Sequence, residues 1–145
     1  MKRNAKAIWK GSVTEGSGHL TTQSGAVTDV PYSAKLRFQN EDGKAGTNPE
    51  ELIAAAHAGC FAMALSARLT ANGTPPEQLE ADAAVELVKK ESGWAIPSIQ
   101  LTVHGKVPGL DDKKFQELAA DAKANCPVSK VLAGAEITLT ATLSK

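Results

Sequence analysis

The chain has 145 residues, 42% of them hydrophobic and 22% charged, with 16 Lys+Arg balancing 16 Asp+Glu. That length predicts one domain, residues 1–145, burying roughly two-thirds of its unfolded surface. A formal charge of zero provides no field for nucleic acid or an anionic membrane, so neither is expected as a partner.

The start, Met1-Lys2-Arg3-Asn4-Ala5-Lys6, is basic but lacks the apolar stretch of a signal peptide. The apolar run 52–65 is too short and too rich in Ala to span a bilayer. A cytoplasmic location is expected by default, and there a disulfide is more often catalytic or transient than structural. His19, His57, His104 and the two cysteines lie at scattered spacings, so neither a metal site nor a cofactor is expected.

In chain order, residues 5–10 and 18–22 read as short strands around the turn Glu15-Gly16-Ser17-Gly18. Residues 34–38 alternate, Ala34, Leu36 and Phe38 against Lys35 and Arg37, which predicts a half-buried strand. A polar loop follows. Asn48 then suits an N-cap, Pro49 the first helical position, and Glu51 the third residue of a capping box. The helix should run to about Asn72, where Asn72-Gly73 and Pro75-Pro76 stop it. From Ala54 to Leu65 it is apolar almost all round, predicting burial on most sides with a second subunit covering part of it.

The second half is rich in β-pattern. Residues 81–89 place Ala81, Ala83, Val85 and Leu87 on one face. After the turn Glu91-Ser92-Gly93, a second run places Ile99, Leu101, Val103 and Val107 likewise. Asp111 or Asp112 caps a helix with the stripe Phe115, Leu118, Ala119 and Ala122. Cys126-Pro127 opens a helical turn over 127–132, and the last strand alternates Ile137, Leu139, Ala141 and Leu143 against threonines. These elements predict an α+β fold, antiparallel β-sheets packed on a long central helix.

The two cysteines differ in setting. Cys60 lies among small apolar residues, where a free cysteine is ordinarily an inert core side chain. Cys126 precedes Pro127 at a helix start, where N–H groups and the dipole favour a thiolate. His57, three residues before Cys60, could be its base, but a packed helical histidine is the better reading. Glu50 in a first helical turn complements the dipole, and Arg37 on a strand would ordinarily face solvent. His19 and His104 read as exposed strand positions.

The stretch Gly46-Thr47-Asn48-Pro49-Glu50-Glu51-Leu52-Ile53, running on to Cys60, resembles the central helix of the OsmC/Ohr family of bacterial thiol peroxidases. The segment Asn125-Cys126-Pro127-Val128-Ser129-Lys130-Val131-Leu132 resembles that family's resolving-cysteine segment. The likeness spans nearly the whole chain and is closest to the osmotically inducible OsmC branch. There the active-site arginine lies on the strand before the helix, the place of Arg37.

What the resemblance implies is an OsmC-like fold in an interlocked homodimer, with paired central helices and two active sites at the interface. It implies Cys60 as the peroxidatic cysteine, Cys126 as the resolving cysteine, and Arg37 with Glu50 as the thiolate-stabilising pair. The reaction implied reduces an organic hydroperoxide to an alcohol through a Cys60 sulfenic acid and a Cys60–Cys126 disulfide. An external dithiol, of lipoyl type by resemblance, would recycle it. Ile53, Phe61, Met63 and the partner subunit are expected to wall the pocket.

Ten residues of helix put Glu50 about 15 Å along the axis from Cys60 and about 80° around it, so a Glu50 serving Cys60 should come from the partner's antiparallel helix. Two other classes of function stay open on the residues alone. One is a redox-inactive protein binding a hydrophobic small molecule, and the other is a thiol-based oxidant sensor.

Overall fold

The computed structural model of the chain describes residues 1–144. The chain divides into two compact units, the first ending at Leu52 and the second starting at Ile53, in the opening turn of one long helix.

The first unit is a three-stranded antiparallel sheet, β1 (Ala5–Lys10), β2 (Ser17–Thr22) and β3 (Val30–Ser33), in that order. Trp9, Gly18 and Tyr32 stand opposite one another across it. A Cβ on Gly18 would lie 2.7 Å from the Tyr32 ring. Its absence lets Trp9 and Tyr32 meet over the strand at 5.3 Å between ring centroids.

The expected strand at 34–38 is instead a short helix, α1 (Ala34–Phe38). Ser33 is its N-cap and accepts a hydrogen bond from the Leu36 N–H at 3.1 Å. Over five residues, apolar positions at Ala34 and Phe38 fit a helical i, i+4 spacing as well as alternation, and the serine cap decides between them. Arg37 therefore projects from a helix that follows β3, not from a strand.

The long helix, α2 (Pro49–Ala71), starts as expected: Asn48 Oδ1 accepts from the Glu51 N–H at 2.8 Å. The Glu51 carboxylate accepts from the Thr47 hydroxyl at 2.6 Å instead of returning to the cap residue. The helix ends in a Schellman arrangement, with Gly73 N–H on the Thr70 carbonyl and Thr74 N–H on that of Leu69.

The burial expected on most sides of α2 is found on one. His57, Phe61, Leu65 and Leu69, four residues apart, are fully buried, whereas Ala55, Gly59, Met63 and Ala67 are exposed. Although the run 52–65 is short, the whole helix of 23 residues is long and apolar enough to cross a membrane by composition. Its buried stripe lies instead in a protein core.

That core belongs to the second unit. Phe61, Leu65 and Leu69 pack with Leu101, Val103 and Val107 and with Phe115, Ala119 and Ala122. The strands are β4 (Gln78–Val85), β7 (Ser98–Lys106) and β8 (Glu136–Ser144), with β7 central. A two-stranded ribbon, β5 (Val88–Lys90) and β6 (Gly93–Ala95), separates β4 from β7. β4 starts earlier than the sequence pattern indicated and ends before Leu87, which lies between β4 and β5.

β4 and β7 are antiparallel, but β7 and β8 run parallel, a departure from the antiparallel expectation. The crossover is made by α3 (Asp112–Asn125) and α4 (Pro127–Val131), the covered route a parallel pair needs. Asp111 caps α3 by accepting from the Lys114 N–H at 3.0 Å. Gly105 in β7 lets the Phe115 ring lie against the strand; a Cβ there would sit 2.6 Å from Phe115 Cζ.

Candidate active site

Within the second unit, the junction of α3 and α4 carries Cys126 to the side of α2. Its Sγ lies 2.7 Å from Cys60 Sγ, both as free thiols. Cys126 is fully buried and Cys60 is half-buried. Cys126 ends α3, its N–H held by the Ala122 carbonyl at 2.8 Å, and is also the N-cap residue of α4, with Pro127 next.

Burial by itself would raise both thiols. At Cys126 burial is outweighed by the Cys60 thiol, the Ser129 N–H and hydroxyl, and the Val128 N–H, which hold the thiol below its ordinary value. At Cys60, burial, the hydrogen bond to Cys126 and the charge on Cys126 push the thiol up against one N–H from Val128. The two thiols titrate as a pair, with Cys126 the one favoured as thiolate. Cys60 needs a cation beside it before it can attack as a thiolate.

His57 is fully buried, as expected of a packed histidine, and its Nε2 meets Ser129 Oγ at 2.7 Å. Burial lowers its pKa, keeping the ring neutral. Ser129, itself buried, was not singled out in the sequence. Its position three residues after the N-cap, inside the Cys-Pro segment, is the signal that could have found it.

Arg37 and Glu50 form a forked ion pair within the first unit. Arg37 Nη2 donates to Glu50 Oε1 at 2.6 Å and Nε to Oε2 at 3.2 Å. Glu50 is 8% exposed, while the guanidinium side chain is 36% exposed and its Cζ sits 5.2 Å from the Phe38 ring centroid. Arg37 borders a cavity of about 290 Å³ lined also by Trp9, Val13, Tyr32, Phe38 and Pro49 among others. None of these wall residues was foreseen. Phe61, expected as a wall, is a core residue at 0% exposure, because it falls on the buried stripe of α2.

The second unit thus carries a close pair of thiols, and the first unit an arginine–carboxylate pair with an apolar cavity beside Arg37. The OsmC-like protein family model matches residues 40–142. The chain is 45% identical over 137 residues to Peroxiredoxin OsmC of Escherichia coli (strain K12), covering 94% of this chain and 93% of that one.

It is also similar to the crystal structure of the organic hydroperoxide resistance protein OhrB of Bacillus subtilis. The TM-score is 0.67 at 31% identity, over 97% of this chain and 98% of that one. The OsmC-like protein from Mycoplasma pneumoniae shares the fold at a TM-score of 0.75 and 14% identity, over 100% and 99% of the two chains. The chain belongs to the OsmC-like family.

Proposed function

We propose that this chain is a cysteine-based peroxidase that reduces organic hydroperoxides to alcohols. The 2.7 Å approach of the Cys60 and Cys126 sulfurs carries the reading, since it puts two free thiols within reach of a disulfide. The names of the relatives, a peroxiredoxin and an organic hydroperoxide resistance protein, support the same chemistry.

The Cys60 thiolate attacks the terminal peroxide oxygen. A sulfur–oxygen bond forms as the O–O bond breaks, giving Cys60 sulfenic acid and an alkoxide that takes a proton to become the alcohol. Cys126 sulfur then attacks Cys60 sulfur; the S–O bond breaks and hydroxide leaves, becoming water with the proton Cys126 has lost. An external dithiol reduces the disulfide by two exchanges and is itself oxidised to a disulfide.

Arg37 stabilises the Cys60 thiolate and the developing alkoxide, with Glu50 fixing the guanidinium plane. In this reading the role falls to the pair of a second subunit in a homodimer, since ten residues of helix hold Glu50 away from Cys60 of its own chain. The aromatic and apolar lining beside Arg37 favours alkyl or lipid hydroperoxides over hydrogen peroxide. A cytoplasmic setting fits a disulfide that forms and is reduced in each cycle.

Steady-state peroxide consumption by the pure protein with a small dithiol tests the proposal. Faster turnover of an alkyl hydroperoxide than of hydrogen peroxide, lost in Cys60→Ser, is expected. No consumption by freshly reduced wild type would overturn it and favour a binding protein on the same fold.

A further inference from the structure

The mechanism above gives no part to His57, although it is fully buried on the Cys60 helix and its ring Nε2 meets Ser129 Oγ, in the helix that Cys126 caps. Its Nδ1 has no hydrogen-bond partner among the described residues. A buried N–H without an acceptor is rarer in native proteins than a lone pair without a donor. The favoured neutral tautomer is therefore the one with its hydrogen on Nε2, which donates to Ser129 Oγ at 2.7 Å.

A hydroxyl that accepts from His57 keeps its own hydrogen for another acceptor. Ser129 lies in the first turn of α4, three residues after Cys126 at the cap of that helix, and His57 holds its hydroxyl oxygen from one side.

We propose that Ser129 stabilises the resolving thiolate of Cys126, and that His57 is a positioning residue that orients the Ser129 hydroxyl for this. The inference rests on the peroxidase reading. His57 is not the base for its helix neighbour Cys60; it acts through a serine 72 residues away on the second thiol. The lowered pKa of Cys126, to which the Ser129 hydroxyl contributes, agrees with that direction.

The reaction served is the condensation of Cys60 sulfenic acid with Cys126. The S–S bond forms, the S–O bond breaks, and water leaves with the proton given up by Cys126. The hydrogen bonds donated by His57 and Ser129 persist through the step without net proton transfer. An imidazole acting as proton acceptor would instead have to become charged in a fully buried position, which its lowered pKa opposes.

The test is a single turnover of reduced full-length protein with one equivalent of an alkyl hydroperoxide. Sulfenic acid formation and disulfide formation are followed as separate phases by rapid quench and intact mass. Ser129→Ala and His57→Leu should form sulfenic acid within a few-fold of the wild-type rate but form the disulfide about tenfold more slowly, the effect of losing one hydrogen bond to a charged group.

Ser129→Thr, which keeps the hydroxyl, and His57→Gln, which keeps an N–H near the Nε2 position, should restore the second phase. Disulfide formation at the wild-type rate in Ser129→Ala and His57→Leu would overturn the proposal. So would a second phase in His57→Gln as slow as in His57→Leu, because an acid–base role needs the ring and a donor role does not. Absence of sulfenic acid in the wild type would instead remove the peroxidase reading beneath it. A variant that misfolds would lose the first phase too, and so is told apart from one that loses only the second.

Discussion

At the scale of single residues, the clamp and the couple were legible to different degrees. The Cys60 and Cys126 positions came from the two segments that carry them, and the structure brings their sulfurs together. Arg37 and Glu50 are found as a forked pair, although Arg37 stands on a helix where a strand was expected. Ser129 escaped because a serine in a short helical turn looks like any solvated hydroxyl until the histidine 72 residues earlier is seen against it.

The fork supplies a prediction. Lysine at position 37 keeps the charge but cannot span both carboxylate oxygens. Arg37→Lys should lower alkyl hydroperoxide turnover about tenfold, and Arg37→Met about a hundredfold. Thermal midpoints should move by only a few degrees, as expected for a pair with one partner well exposed. Peroxide assays beside thermal melts check it; activity that falls only in step with the melting temperature would contradict a catalytic role.

At the scale of elements, local chemistry was read correctly at both ends of α2 and at the start of α3. Asn48-Pro49 and Asn72-Gly73 bracket α2, and Asp111 starts α3. Strand direction was not readable in the same way. The alternation of Ile137, Leu139, Ala141 and Leu143 reveals a face but not an orientation, and the parallel pairing with β7 follows from the helical crossover instead. In α1 the serine cap outweighed a pattern too short to define a period.

Packing between elements is exacting where α3 meets β7. The Phe115 ring is fully buried against Gly105, and an added methyl would meet that ring at 2.6 Å and Leu79 Cδ2 at 3.2 Å. Gly105→Ala should therefore cost about 1–3 kcal/mol of stability by overpacking. Urea unfolding measures this, with an unchanged midpoint contradicting the packing.

At the scale of the whole molecule, one chain leaves much undone. In the first unit only Gly18 and Glu50 are buried, so its sheet has no apolar core of its own. Ile8 at 44%, Trp9 at 37% and Val13 at 70% remain exposed there, and Met63 on the open face of α2 is 76% exposed. Surfaces of that kind are covered in a stable protein. The homodimer proposed above, with a second copy's α2 laid along this one, would cover them.

The proposed mechanism requires Arg37 and Cys60 of one working site to come from different subunits. Two inactive variants, Cys60→Ser and Arg37→Met, should then complement each other. After co-refolding, half the dimers are mixed and each holds one intact site, so about a quarter of wild-type turnover should return. Failure to recover any activity from dimers verified as mixed would place both residues in the same subunit's site.

The most direct test of the central claim is what one equivalent of alkyl hydroperoxide does to the reduced protein. Intact-mass and peptide analysis should find one equivalent of alcohol and a Cys60–Cys126 disulfide in the wild type. Cys126→Ser should stop at a sulfenic acid on Cys60, and Cys60→Ser should leave the peroxide untouched. A wild-type protein that consumes the hydroperoxide without forming that disulfide, or a Cys60→Ser variant that still consumes it, would contradict the account.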